Sequence, residues 1–286
     1  MLVRSLPEPL GAEIIGLTGP ALADPEIRRE LRDALFEHLV LVLRNQDLGT
    51  RDQVRLTRMF GEPELAWDKR SRHPDEPHVQ VMRSAPAPKD APPSSSQHWH
   101  TDGSFLEKPP IATFLASIHL PQSGGDTLFV DTRSACESLP PARLATLEVL
   151  NLRFSYSYRL YGFQTTRYGS DDRAELEDHP DVVHPLVRKH PVTGRGSLYL
   201  DQLCVAKVES LADDTGNAIL SELYGHTLVA ERCYKHEWRS GDVLIWDNPS
   251  LMHRRGESHQ GDRLLHRTTA AGSRPIPLRR FSQTHD

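Results

Sequence analysis

A chain of 286 residues with 37% hydrophobic and 26% charged residues is long enough to bury a sizeable core and reads as a single soluble domain spanning 1–286. Its formal charge of -5 opposes broad nucleic-acid binding, and the one basic cluster, Arg274 to Arg280, falls in the C-terminal tail. No apolar run can span a bilayer, MLVRSLPEPLGAEIIGL lacks the apolar core of a secretory signal, and Cys136, Cys204 and Cys233 are too scattered for a disulfide framework or a zinc knuckle. A cytoplasmic protein with reduced thiols is expected, acting on a small molecule, with homo-oligomerisation left open.

DPEIRRELRDALFEHL from Asp24 predicts a helix, because an N-cap aspartate and a proline at the first helical position precede apolar residues at helical spacing. VLVLRNQ follows as a β-branched strand, and Thr50 opens TRDQVRLTRMFG, a capping-box pattern ended by Gly61. Strands are then predicted at 78–83, 112–120, 126–130, 197–200, 242–246 and 263–271, each short and bounded by Gly, Pro or Asp. Helices are predicted around 133–149, with a proline start at Pro140, and around 213–226. SAPAPKDAPPSSSQ, 84–97, is too rich in Pro, Ala and Ser to bury a core and reads as a mobile loop. Many separated strands with flanking helices give a mainly β fold, an antiparallel sandwich or barrel.

The chemistry concentrates in QHWHTDGSF, which follows that loop and holds His98, His100 and Asp102. On a strand, His100 and Asp102 would share a face about 7 Å apart, from a rise of ~3.3 Å per residue. Two histidines and one carboxylate can hold a metal and leave positions open for co-substrate and oxygen. The H-x-D pattern alone is weak, since His73-Pro74-Asp75 and His179-Pro180-Asp181 repeat it, but those copies carry a proline in turn-like surroundings, whereas the middle one lies among Trp99 and Phe105. A cupin-type site from His98, His100 and a glutamate fails because Glu107 comes too late.

WHTDGSF, SGGDTLFVD, VVHPLVRKHPVTGRGSLYL, GDVLIWDNPSLMHR and RLLHRTTAAG resemble, in this order, the taurine dioxygenase-like family of iron(II)/2-oxoglutarate-dependent dioxygenases, and PLGAEIIGL and LRNQ extend the likeness almost end to end. The resemblance implies a double-stranded β-helix, or jelly-roll barrel, using Fe(II), 2-oxoglutarate and O2. It implies iron ligation by His100, Asp102 and His253, and a site for the distal carboxylate of 2-oxoglutarate at Arg263, with Thr127 adding a hydroxyl. A guanidinium suits that carboxylate through its fixed fork of donors. Arg267 shares the strand face of Arg263, and the resemblance gives it an anionic group of the primary substrate. His98 is expected to line the pocket, and Phe105 and Tyr158 to contact the substrate.

The reaction implied is oxidation of an unactivated C–H bond, by hydroxylation, desaturation or a related outcome, coupled to conversion of 2-oxoglutarate to succinate and CO2. Asp102 sets the chain apart from halogenases of this fold, which replace that carboxylate with a small residue. FGEPELAWDKRSRHP has no histidine close after Phe60-Gly61, where taurine dioxygenases supply one for the sulfonate. FSYSYRLYGFQTTRYG holds Tyr156, Tyr158, Tyr161 and Tyr168 and reads either as an aromatic strand followed by a polar loop, the expectation for at least two of the tyrosines, or as an aromatic lid near 154–175 over a substrate larger and less polar than taurine. Secondary-metabolite tailoring of a carboxylated scaffold is therefore expected ahead of sulfonate or carboxylate catabolism, and both ahead of a non-catalytic 2-oxoglutarate sensor.

Overall fold

The computed structural model describes residues 1–17, 22–85, 95–156, 179–256 and 259–279. Most of the expected loop at 84–97, most of the expected lid, and Tyr158, Tyr161 and Tyr168 lie outside these residues.

An eight-stranded sheet runs in the order Leu2–Ser5, Ala12–Ile15, Val40–Leu43, Val243–Asp247, Ala112–His119, Arg263–Ala270, Glu76–Ser84, Arg72–His73. All neighbours are antiparallel except Ala12–Ile15 against Val40–Leu43. A three-stranded sheet, Cys233–His236, Thr127–Asp131 and Leu251–Arg255, packs against it, with Thr127–Asp131 in the middle. Strand alternation assigns the side chains. Val40, Val42, Leu244, Trp246 and Leu265 join Phe129 and Leu251 in the core between the two sheets, whereas Leu41, Leu43, Val243 and Ile245 meet the helices behind the large sheet. VLVL and VLIW are therefore uninterrupted apolar runs because both of their faces are buried.

Helix Pro25–His38 covers the outer face of the large sheet with Leu31, Ala34, Leu35 and Phe36, and the Asp24 carboxylate caps it by accepting from the Glu26 N–H, 2.8 Å. The second helix, Thr50–Arg58, departs from expectation at its start: Gly49 is the N-cap, no side chain caps it, and no Thr50–Gln53 capping box forms. Gln53 is instead buried and its amide donates to the His266 carbonyl, 2.9 Å, while the Thr57 and Thr268 hydroxyls meet at 2.6 Å. Docking this helix onto strand Arg263–Ala270 outweighs the local cap. The expected helix at 133–149 is two, Thr132–Glu137 and Pro141–Leu147, because Pro140 cannot continue the first. The last helix is Asp213–Thr227. Among the described residues no helix is long and apolar enough to cross a membrane.

Candidate metal and co-substrate site

His253 lies on strand Leu251–Arg255, on the face shared with Leu251, so its ring points between the sheets, beside Trp246 (4.7 Å between centroids) and Phe129 (6.2 Å). His100 is not on a continuous strand. It forms a single antiparallel bridge with His253, each backbone N–H donating to the other's carbonyl at 3.0 and 2.9 Å, after which the chain turns at Asp102-Gly103. Convergence of His100 and Asp102 therefore comes from a bridge and a turn, where strand alternation was expected. Gly103 has φ +64, and a Cβ there would stand 2.8 Å from Pro110 Cδ, so the turn requires glycine.

The outcome is one group among the described residues, with Asp102 and His253 buried and His100 half-buried: ligating atoms of the three all lie within 4.8 Å of one another. The donors suit a divalent first-row metal. His100 Nδ1 donates to the His98 carbonyl, 2.7 Å, which leaves Nε2 as the ligating nitrogen, and His253 presents Nε2 3.7 Å from Asp102 Oδ2. Burial, reinforced by the His253 ring, pushes the His100 pKa down to about 3, and burial likewise lowers that of His253. Both rings are thus neutral and able to bind metal at physiological pH. Burial alone would raise the Asp102 pKa, but the Arg267 guanidinium, helped by the Thr113 hydroxyl, holds it well below the usual carboxylate range.

Several residues that sequence reading missed hold these ligands. The Asn248 side chain brackets the Asp102 backbone, its Oδ1 accepting from the Asp102 N–H (3.2 Å) and its Nδ2 donating to the Asp102 and Pro110 carbonyls (2.8 and 3.1 Å). Thr113 donates to Asp102 Oδ2, 3.0 Å. The buried Asp201 carboxylate accepts from the Thr101 N–H and Ser104 hydroxyl through one oxygen and from the Leu203 and Cys204 N–H groups through the other. The only signals in the sequence were the DNPS turn and an aspartate after SLYL, neither of which marks a role unaided.

Arg263 and Arg267 lie four apart on one strand with Leu265 between them, and all three are buried. Arg267 Nη1 donates to Asp102 Oδ1 at 2.6 Å, Nε and Nη2 donate to Gln80 Oε1, and the Trp67 ring lies 5.1 Å from the guanidinium carbon. Arg267 is thus anchored on the carboxylate of the His100–Asp102–His253 group. Arg263 passes over Gly125, where a Cβ would come within 3.3 Å of its Cδ. Its buried Nε has no hydrogen-bond partner among the described residues. Burial, then neighbouring Arg255, lowers its pKa to about 10, with Asp126 opposing, so it stays cationic at neutral pH. A buried cation with an unanswered N–H matches the distal carboxylate of 2-oxoglutarate. Thr127, buried on the middle strand of the small sheet, accepts from the Trp238 indole N–H, 3.1 Å.

The remaining expected site residues divide. His98 contributes its carbonyl to His100, and its half-buried ring lies near Arg254. Phe105 is 2% exposed, its ring against Trp67, Tyr156 and His179, and it packs in the core cluster. Tyr158 lies outside the described residues.

A jelly-roll barrel with this site defines a 2-oxoglutarate-dependent dioxygenase needing Fe(II) and O2. Residues 2–269 match the family described as "Taurine catabolism dioxygenase TauD, TfdA family", and the chain belongs to that family. It is 30% identical over 278 residues, 93% of this chain and 88% of the relative, to an alpha-ketoglutarate-dependent sulfate ester dioxygenase of Pseudomonas putida. It is also 30% identical over 259 residues, 86% of each chain, to pentalenolactone F synthase of Streptomyces arenae. Among solved structures, AAD-2 in complex with Mn(II) and N-oxalylglycine superposes with a TM-score of 0.81 at 27% identity, covering 96% of this chain and 98% of that one.

Proposed function

We propose that His100, Asp102 and His253 hold the iron, that Arg263 and Thr127 hold 2-oxoglutarate, and that the chain oxidises an unactivated C–H bond of a small carboxylate-bearing substrate in secondary-metabolite tailoring in the cytoplasm. The observation that carries this reading is the convergence of ligating atoms of His100, Asp102 and His253 within 4.8 Å of one another, with the Arg267 guanidinium set against the same carboxylate, 2.6 Å away. When bound, iron with 2-oxoglutarate and O2 supplies the oxidant, with release of succinate and CO2. The protein's part is to orient and to exclude water. Neutral His100 and His253 and ionised Asp102 offer three donors without prior proton loss, and the walls at Phe129, Trp246 and Leu251 keep the site dry.

Tailoring is favoured over sulfonate catabolism by what stands near Arg267. The segment after Phe60-Gly61 brings the Trp67 indole over the guanidinium, an apolar wall suited to a ring-bearing scaffold. Catabolism of a small sulfonate or carboxylate is the second reading, favoured by the likeness to the sulfate ester dioxygenase.

The test is succinate release from 2-oxoglutarate with Fe(II), ascorbate and O2, stimulated by panels of cyclic carboxylic acids, alkyl sulfonates and sulfate esters. Stimulation by carboxylic acids alone supports tailoring, and stimulation by sulfonates or sulfate esters moves the assignment to catabolism. Release unaffected by Asp102→Ala would sink the iron assignment, and binding of 2-oxoglutarate without turnover on any panel would point to a sensor.

A further inference from the structure

Trp238 follows strand Cys233–His236 and is part of no expected motif. Its indole N–H donates to Thr127 Oγ1, 3.1 Å, and its ring lies 5.8 Å from the guanidinium carbon of Arg263. His236 meets the same ring edge-on, centroids 5.0 Å apart at 87°. His236 is itself fixed. Its Nε2 donates to Asp242 Oδ2, 3.0 Å, an oxygen that also accepts from Arg44 Nη1 and the Arg239 N–H, so Nδ1 is left to accept from the Tyr234 hydroxyl, 2.8 Å. Tyr234, His236 and Asp242 are all buried.

An indole N–H can only donate, so Thr127 Oγ1 must accept from it, and the single hydroxyl proton of Thr127 is released for another acceptor. Among the described residues none takes it, and Arg263 Nε beside the same ring likewise has no acceptor. Two buried donors without an acceptor call for an anion between them. We propose that Trp238 is a positioning residue that commits the Thr127 hydroxyl to donate toward the distal carboxylate of the co-substrate, and so makes the pocket select dicarboxylic over monocarboxylic 2-oxo acids. This rests on the assignment of Arg263 and Thr127 above. A threonine without the indole would be free to turn and accept from Arg263, and discrimination at the distal end would fall.

The experiment uses the full chain loaded with Zn(II). Calorimetry gives Kd for 2-oxoglutarate and for 2-oxopentanoate, which has the same chain length without the distal carboxylate, and their ratio is the selectivity. Trp238→Phe should lower the ratio about tenfold, the worth of one hydrogen bond to a charged group. Thr127→Val should lower it by a similar factor, the double variant should lose little more than either, and Thr127→Ser should retain it. Equal weakening of both acids in Trp238→Phe would make the indole mere packing and overturn the proposal. So would an unchanged ratio in Trp238→Phe alongside a loss in Thr127→Val, which would leave the co-substrate assignment standing. Ratios unchanged in Thr127→Val and Arg263→Gln as well would overturn that assignment and the proposal with it. An independent reading comes from the parent protein with 15N-tryptophan: the Trp238 indole signal, identified by its loss in Trp238→Phe or, should that variant not fold, by its shift in Thr127→Val, should move with 2-oxoglutarate and stay still with 2-oxopentanoate. A signal that ignores 2-oxoglutarate refutes the contact.

Discussion

Asn248 offers the sharpest test of how the metal-binding turn is held. Its Nδ2 has two carbonyl acceptors and its Oδ1 has one N–H donor, all buried, so the orientation of the amide is fixed by its partners. Asn248→Ala removes three buried hydrogen bonds, each worth about 0.5–1.5 kcal/mol net, and should cost about 3 kcal/mol. Asn248→Asp keeps nearly the same shape and the acceptor for the Asp102 N–H, yet turns the donor into an anionic oxygen facing the Asp102 and Pro110 carbonyls. It loses two bonds and adds a buried, uncompensated charge, so it should cost more than the alanine, about 4 kcal/mol or above. Against a typical total of about 5–15 kcal/mol, this is a large share of stability. Urea unfolding of the metal-free protein gives the order, and Mn(II) titration of the folded variants should show affinity reduced about tenfold or more, since Asp102 loses its backbone anchor. A variant within about 0.5 kcal/mol of the parent, or an aspartate no worse than the alanine, would refute the bracket as described.

Further expectations follow from the same site. Two exposed histidines of ordinary pKa would lose about a hundredfold in metal affinity between pH 7.5 and 5.5, but with His100 near 3 and His253 also depressed, Mn(II) affinity should fall by well under that, and a hundredfold fall would contradict the neutral pair. Because the folded pKa of His100 lies below its unfolded value of 6.5, its contribution to stability is complete above pH 6.5 and shrinks as pH falls toward 3, so the urea midpoint of the metal-free protein should decline on acidification through that window. Gly103→Ala should cost about 2–3 kcal/mol by thermal or urea unfolding, from φ +64 and the clash with Pro110, and a neutral result would show that the turn can relax. Thr50→Ala should stay within about 0.5 kcal/mol, because Thr50 is not the N-cap, whereas Gln53→Ala should cost about 1–2 kcal/mol by leaving the His266 carbonyl without its donor; the reverse order would restore the capping box.

Much of this architecture was legible because its signals are local. Asp24-Pro25 announces a helix start, and VLVL and VLIW announce doubly buried strands. That His100, Asp102 and His253 come together was expected from motifs that are short and ordered along the chain. What could not be read was tertiary competition for polar side chains. Thr50 and Gln53 satisfy a capping pattern, yet Gln53 gains more from a carbonyl on a strand far along the chain. Asn248, Asp201, Gln80 and Trp238 each act on a partner distant in sequence, and no spacing rule points from one to the other. The packing of Phe105 was likewise not legible, because Trp67 and Tyr156, which its ring meets, come from elsewhere in the chain.

The reciprocal backbone bonds between His100 and His253 also bear on when the protein can acquire its metal. About 150 residues separate the two, a loop whose closure is unfavourable until other long-range contacts have formed. A chain emerging from the ribosome carries His100 and Asp102 long before His253, and a two-donor fragment binds a divalent ion weakly. The full donor set exists only once Leu251–Arg255 has paired with Thr127–Asp131 and met the 100–102 turn. With these three residues as the proposed ligands, metal loading would follow closure of the barrel and would not precede it.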